Sequence, residues 1–595
     1  MRESARAAFS LALRARPAVL AATLLLTVVE ALIPVAAAWL TARLVDGLTR
    51  GEGALTGYAS ALAACGILAA LLPYLQRLAQ GELARAVARQ AQNRLFRAVT
   101  AQPGLAWYEN PDRLTQLRQA QDCGQHTPTD LLDCAMALVR SALTLLGFGA
   151  VLTGIHPLLA ALVAVGTVPK LIAEIRVARA RAGAVHGLTA HQRREVFYMM
   201  LLADAPGAKE VRLLGIGDLL RRRMMAQRHA ADRERLRLDV RELLLNGLPT
   251  VITAGVAAGG LLWAVGRVRD GALSVGELTL VVTAIAAVQS TLGTLVGAVA
   301  NGHQHLLVFR AYTELVTAPP VLTTREPARP IGPLRGAVEL RDVWFRYGPD
   351  HPWILRGVNL RIAAGESLGL VGVNGAGKST LIKLLCRFYD PERGSVRWDG
   401  TDLRDIRPEA LRERLSVVYQ DHMNYEMTAA ENIGLGDPER AHDQRRVAEA
   451  ARRAGIHNVL AALPAGYRTM LSRGYFGESG KDDGVVLSGG QFQRLALARS
   501  MMREDRDLFV LDEPTSGLDP LAQAEVGRLI HHHGAGRTRV LVSHRLSEIR
   551  DADRIAVLAD GRIAELGTHE HLLAVGGHYA AAFRSQAAGF QLDGV

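Results

Sequence analysis

Six long apolar runs fill the first half of the chain, at 18–42, 54–76, 135–155, 157–175, 246–266 and 276–300. About 20 apolar residues in helix cross the ~30 Å hydrocarbon core of a bilayer. An unpaired backbone polar group is costly there, so such runs can only be helices. The first run follows a basic start (Arg2, Arg6, Arg14, Arg16) that mimics a signal peptide. It is longer than a usual signal core and five more runs follow, so it reads as an uncleaved first span. Only about 16 residues precede it, too few for a protease domain, so no self-cleavage of a leader peptide is expected.

The charges between the runs set the orientation. The connections 77–134 and 176–245 are rich in arginine, whereas the segment 154–157 has no charged residue. By the positive-inside rule the N-terminus and both long connections face the cytoplasm. Their Ala, Arg, Leu, Glu and Gln favour helices that continue out of the spans. Two short helices are expected at their tips, near 107–117 and 201–209. The net charge of +11 is thereby placed beside a membrane rather than on nucleic acid, which is not expected as a partner. Hydrophobic residues at 49% and charged residues at 21% exclude a disordered or fibrous chain. The mean hydropathy of +0.11 averages an apolar half and a polar half. Cys65, Cys123, Cys134 and Cys386 lack disulfide-framework or zinc spacing. Glu30 lies inside the first span; an intramembrane carboxylate either contacts substrate or pairs locally beside a wet cavity.

Pro319, Pro320, Pro327, Pro330 and Pro333 mark an extended linker. Beyond it, short apolar runs alternate with helical stretches, the pattern of an α/β domain. Residues 338–340 and 343–345 read as two short strands. The division expected is 1–315 helical membrane domain of six spans, 316–337 linker, 338–585 α/β domain and 586–595 tail.

The apolar strand 368–371 leads into Gly372-Val373-Asn374-Gly375-Ala376-Gly377-Lys378-Ser379-Thr380 and then a helix. This is the phosphate loop of a P-loop NTPase in its required strand–loop–helix setting. Its backbone N–H groups and helix dipole attract phosphate, Lys378 reaches the β- and γ-phosphates, and Ser379 suits Mg²⁺. A second apolar strand, 508–511, ends in Asp512-Glu513. Asp512 suits the metal shell and Glu513 suits a general base for water. Leu487-Ser488-Gly489-Gly490-Gln491 opens another helix and makes a second anion-facing N-terminus. One ATP does not need both loops from one chain, so the second loop is expected to serve ATP held by another copy. His531-His532-His533 reads as a solvated turn and His569-Glu570-His571 as the start of a surface helix.

Together these residues resemble the nucleotide-binding domain of an ATP-binding cassette (ABC) transporter over 338–585, with the family's motifs in the family's order. The resemblance implies a Q-loop glutamine at Gln420, which joins Ser379 and Asp512 around Mg²⁺. It also implies a D-loop Asp519 bridging two sites, a switch histidine at His544 on the γ-phosphate, and an adenine-stacking aromatic at Tyr347. Ser488, Gly489, Gly490 and Gln491 form the signature, which meets ATP across a dimer. The membrane half resembles the exporter type. The stretch 466–484 is longer and richer in Gly and Asp than in many exporters. With Tyr425-Glu426-Met427-Thr428 and residues 209–213, it is similar to a bacterial branch that includes exporters of lantibiotic-like peptides.

These readings imply a multi-pass protein of the cell membrane with its ATPase domain in the cytoplasm. ATP and Mg²⁺ are its implied cofactors. Its implied partners are the bilayer, a transported substrate and a second chain, most simply an identical one. Export of a peptide or secondary metabolite leads; a lipid flippase, a multidrug exporter and an importer are alternatives. A non-transport ABC ATPase would lack the spans.

Overall fold

A computed structural model gives the structure. It describes every residue except 1, 52–54, 204, 473–483, 504–505, 519, 535 and 589–595. The chain forms two compact units, one of residues 1–100 and 111–318 and the other of residues 101–110 and 319–595.

The first unit is helical. It contains α1 (Arg2–Ala15), α2 (Pro17–Arg50) and α3 (Leu55–Thr100). The second unit interrupts it with the four-residue α4 (Ala106–Glu109). It resumes with α5 (Pro111–Ile155), α6 (Pro157–Ala203), α7 (Ala205–Leu213), α8 (Gly217–Arg269) and α9 (Val275–Thr317). Helices α3, α5, α6 and α8 are 46, 45, 47 and 53 residues long. At about 1.5 Å per residue each is roughly twice a bilayer core, so the long connections do continue their spans as helix. Among the described residues, α2, α3, α8, α9 and the 126–155 part of α5 are long and apolar enough to cross a membrane. Leu25, Ile67, Leu146 and Leu262 point outward, the arrangement of a unit solvated by hydrocarbon. Inside, Phe148, Leu152, Val281 and Ala284 pack where α5 meets α9. The start of α9 is fixed by a Ser274–Glu277 capping box. Asp46 of α2 holds it by accepting from Ser274 Oγ (2.7 Å) and the Gly276 N–H (2.8 Å).

The second unit adds β1 (Ala337–Phe345), β2 (Leu355–Ala363), β3 (Ser367–Val371), α10 (Lys378–Leu385), β4 (Arg393–Trp398) and β5 (Thr401–Asp402). Next come α11 (Pro408–Arg412), β6 (Leu415–Val418), α12 (Ala429–Gly434), α13 (Gln444–Arg453), α14 (His457–Ala461) and α15 (Gly489–Met501). It ends with β7 (Leu508–Asp512), α16 (Pro520–Gly534), β8 (Thr538–Val542), α17 (Leu546–Ile549), β9 (Arg554–Ala559), β10 (Arg562–Gly567), α18 (His569–Val575) and α19 (His578–Ala588). One sheet runs β2-β1-β4-β5 and is antiparallel; the other runs β10-β9-β3-β8-β7-β6 and is parallel except at β10. Val343, Leu355, Leu368, Leu381 and Val540 belong to one core that joins the sheets to α10. A second core, with Ile433, Leu460, Phe492 and Leu495, gathers α12 to α15.

Three local expectations change. The two short strands are one strand, β1, whose pairing shifts after Leu340 where Asp342 takes φ 47°; this irregularity interrupts the alternation. The first tip helix is only 106–109, because Asn110 is extended and Leu117 already belongs to α5. His531-His532-His533 lies in the last turn of α16, not in a turn beyond it.

Candidate nucleotide site

The parallel sheet builds the site from its edge. β3, β8, β7 and β6 are neighbours, and their C-terminal ends deliver the phosphate loop, Ser543-His544, Asp512-Glu513 and Tyr419-Gln420. Asn374, Gly375, Gly377, Lys378, Ser379, Thr380, Gln420, Asp512, Glu513 and His544 line one open cavity of about 750 Å³. Ligands collect at this edge of α/β sheets because loops and helix N-termini converge there.

Gly377 precedes α10 with φ 107°, and a Cβ there would sit 2.9 Å from Leu355 Cδ2. Only glycine allows this turn into the helix. Lys378 Nζ donates to the carbonyls of Gly372 (2.7 Å) and Val373 (3.2 Å). Burial lowers its pKa, against the opposing pull of Glu513 and Asp512. Its ammonium therefore lies within the loop's concavity.

Asp512 is buried beside Ser379, which hydrogen-bonds it. Burial first and the charge of Glu513 second push its pKa up to about 6. A buried carboxylate that resists ionisation, with the Ser379 hydroxyl and a second carboxylate beside it, suits a divalent cation, so the donor set fits Mg²⁺.

Glu513 adopts φ 48°, a left-handed conformation uncommon for a side-chain-bearing residue. Its N–H donates to Val542 O (2.8 Å) and its carbonyl accepts from Gln493 Nε2 (3.2 Å). The carboxylate accepts from Gln420 Nε2 at 3.0 Å and lies 3.2 Å from His544 Nδ1. Three residues distant in sequence thus share one oxygen, Glu513 Oε2.

The remaining expected residues lie elsewhere. Gly372 sits at the base of the loop and accepts from Lys378. Tyr347 OH is 3.3 Å from Thr380 Oγ1, and the ring is partly exposed. Ser488 to Gln491 do not line the cavity; Ser488 and Gln491 form a capping box that starts α15 (Ser488 N to Gln491 Oε1 2.9 Å). Asp519 and residues 473–483 of the long pre-signature stretch lie outside the described residues. Among the described residues no cluster of three or more His, Cys, Asp or Glu could hold a metal. Sequence reading missed Lys383 and Tyr389, which touch Tyr347, Glu109, which accepts from both, and Arg140, which pairs with Glu30 at 3.0 Å. An arginine inside an apolar run was the one available signal for the last.

The family model described as ABC transporter matches residues 355–516. The ATP-dependent lipid A-core flippase of Alkalilimnicola ehrlichii is 38% identical over 317 residues, 53% of this chain and 51% of that protein. A multidrug efflux ATP-binding/permease protein of Mycobacterium bovis is 40% identical over 318 residues, 53% of this chain and 25% of that protein. The cyclolysin secretion/processing ATP-binding protein of Bordetella pertussis is 44% identical over 247 residues, 42% of this chain and 33% of that protein. The matches span about half the first relative and less of the other two. A solved bacterial Atm1-family ABC exporter with ATP bound superposes with a TM-score of 0.82 at 25% identity, covering 96% of this chain and 98% of that one.

Proposed function

We propose that this chain, an ABC transporter chain with its membrane unit fused ahead of the ATPase domain, couples ATP hydrolysis to export across the cell membrane. The observation that carries this reading is the Glu513 carboxylate, held by Gln420 and His544 at the mouth of the phosphate-loop cavity.

Tyr347 stacks on adenine. Gly372, Asn374, Gly375, Gly377, Lys378, Ser379 and Thr380 bind the phosphates, their N–H groups and the Lys378 ammonium supplying the positive potential. Ser379, Asp512 and Gln420 would hold Mg²⁺, which would offset phosphate charge when bound. Glu513 takes the proton of the attacking water, with Gln420 and His544 fixing its orientation. His544 is then within reach of charge that grows on the γ-phosphate.

Ser488, Gly489, Gly490 and Gln491 reach ATP on a second copy of the chain, and Asp519 bridges the two sites. None of the four signature residues lines the cavity of its own phosphate loop, which supports this arrangement. A homodimer is the simplest assembly, since the described nucleotide-site residues are all of competent type. The ATPase domain and the arginine-rich extensions of the spans both lie in the cytoplasm. ATP-driven closure of two cassettes moves the loop tips and turns the membrane units from inward- to outward-facing.

A peptide or secondary metabolite is the leading cargo. A lipid is the alternative supported by the flippase relative. The test is ATPase activity of the chain in proteoliposomes challenged with apolar peptides, lipid A, phospholipid and a cationic dye. Stimulation by one class, with ATP-driven movement of that class into inverted vesicles, supports export. Outward movement from those vesicles contradicts it.

A further inference from the structure

A second cavity of about 470 Å³ opens between α16, α17, β8 and the segment that follows β7. It shares no lining residue with the nucleotide cavity. Its size falls within the ~300–1,000 Å³ of small-molecule sites. Pro514, Ile530, Leu541 and Ala552 give it apolar walls. Gly527 lines it from the middle of α16, and a Cβ there would meet nothing within 4 Å. Glycine weakens a helix interior; at this position it leaves the cavity open.

The charges of the lining do not cancel. Arg539 of β8 is only 7% exposed. Its guanidinium donates to neutral acceptors, Ser367 Oγ (2.6 Å) and Ile530 O (3.3 Å), and lies 3.5 Å from His531 Nδ1. Burial lowers its pKa, against the pull of Asp553 and Asp551. Arg528 and Arg545 line the same cavity. Among the described residues no carboxylate pairs with any of these three guanidinium groups. The two carboxylates of the lining are already engaged. Glu548 accepts from Thr515 Oγ1 (2.5 Å) on one oxygen and from Ser543 Oγ (2.8 Å) on the other. Asp551 pairs with Arg550 at 3.2 Å. The charge left uncompensated is therefore cationic, and at Arg539 it is buried, where a missing counter-charge is most costly.

We propose that this cavity binds a small organic anion, a carboxylate or phosphate monoester with a compact apolar body, and that its occupant slows ATP turnover. Arg539 supplies the counter-charge, and the apolar walls take the body. The effect on turnover rests on the reading of Glu513 as the general base. Thr515 lies two residues after Glu513, and Ser543 immediately precedes His544. Glu548 therefore ties together the two segments that meet at Glu513 Oε2. A negative charge in the cavity opposes the Glu548 carboxylate. Arg545, the residue after His544, is drawn toward the same charge. Both effects loosen the bridge and move His544 away from Glu513.

The test uses benzoate and phenyl phosphate as probes and benzylamine as a cationic control, on the full chain in zwitterionic lipid nanodiscs. Calorimetry in a Glu513→Gln background, with and without saturating ATP, reads binding. At least one anion is expected to bind saturably in both conditions, and benzylamine is not. Gly527→Leu fills the cavity and Arg539→Met removes its charge, so each should weaken that binding at least about 10-fold. Gly527→Leu leaves the hydrogen bonds around the cavity in place, and its ATP affinity should stay within about 2-fold of the parent's, which separates a blocked site from a lost fold. With Glu513 intact, the bound anion should lower kcat at least about 2-fold, and Gly527→Leu should abolish that effect. Failure of both anions to bind, displacement of the probe by ATP, or binding that survives both variants overturns the site. Equal binding of benzylamine overturns the anion assignment. A bound anion with unchanged kcat overturns the role in turnover. If the parent chain hydrolyses no ATP at all, the ATPase reading falls while the binding result stands.

Discussion

Asp512 sits where burial and a neighbouring carboxylate both oppose its charge. Its folded pKa of about 6 lies above the ordinary 3.8. The group therefore favours the fold most below pH 3.8, and that contribution is lost as pH rises through 6. Above pH 6 the metal-free protein carries an ionised carboxylate that it solvates poorly. Asp512→Asn should accordingly raise the thermal transition of nucleotide- and metal-free protein at pH 7.5 and leave it nearly unchanged at pH 4. A scanning-fluorimetry pH series checks this. An equal shift at both pH values would contradict the assigned cause. Added Mg²⁺ should stabilise the parent chain at pH 7.5 more than the variant. At this scale the sequence was informative where chemistry is local. Gly377-Lys378-Ser379 follows β3 across one short loop and Asp512-Glu513 sits at the end of β7, so spacing alone located them. The left-handed backbone of Glu513 was not legible, because β8 imposes it through the bond from Glu513 N to Val542 O.

Between elements, polar contacts tie helices of the membrane unit to one another. Glu30 of α2 pairs with Arg140 of α5, and Gln76 of α3 donates to Thr27 of α2 at 2.9 Å. Among the described residues Glu30 Oε2 and Gln76 Oε1 have no hydrogen-bond partner. Arg140→Leu removes the only cation that pairs with Glu30 among the described residues. It should cost about 1 kcal/mol, the low end of the penalty for stranding a polar group, because Glu30 is only partly buried. Adding Glu30→Gln should recover part of that cost, because no charge is then stranded. Thermal unfolding of the three variants in lipid nanodiscs measures it; a double variant less stable than Arg140→Leu would contradict the pairing. The spans were readable as elements because an apolar run of their length has few alternatives. Their pairing was not, since Glu30 and Arg140 are 110 residues apart. The Lys383–Glu109 contact bridges 274 residues and was equally invisible to any local pattern. Strand β1 was split for the opposite reason: the irregularity at Asp342 is local, but it mimics a strand end.

For the whole molecule, the proposed division of labour between chains makes the sharpest prediction. Lys378 lines the cavity and Ser488 does not, in keeping with the proposal that one chain supplies the phosphate loop and another the signature. A Lys378→Met chain and a Gly490→Asp chain should each be inactive alone. Co-assembled, the pair keeps one complete site, built from the intact phosphate loop of one chain and the intact signature of the other. Hydrolysis should reappear on mixing; its absence in verified mixed dimers would argue for a site complete within one chain.

The central claim is that ATP is hydrolysed at the cavity where Glu513 meets Gln420 and His544. The most direct measurement compares ATP binding and steady-state hydrolysis in the reconstituted chain and its Glu513→Gln variant. The account predicts retained ATP binding with turnover reduced at least about 100-fold, the loss expected when a general base is removed. Turnover equal to that of the parent chain would contradict it.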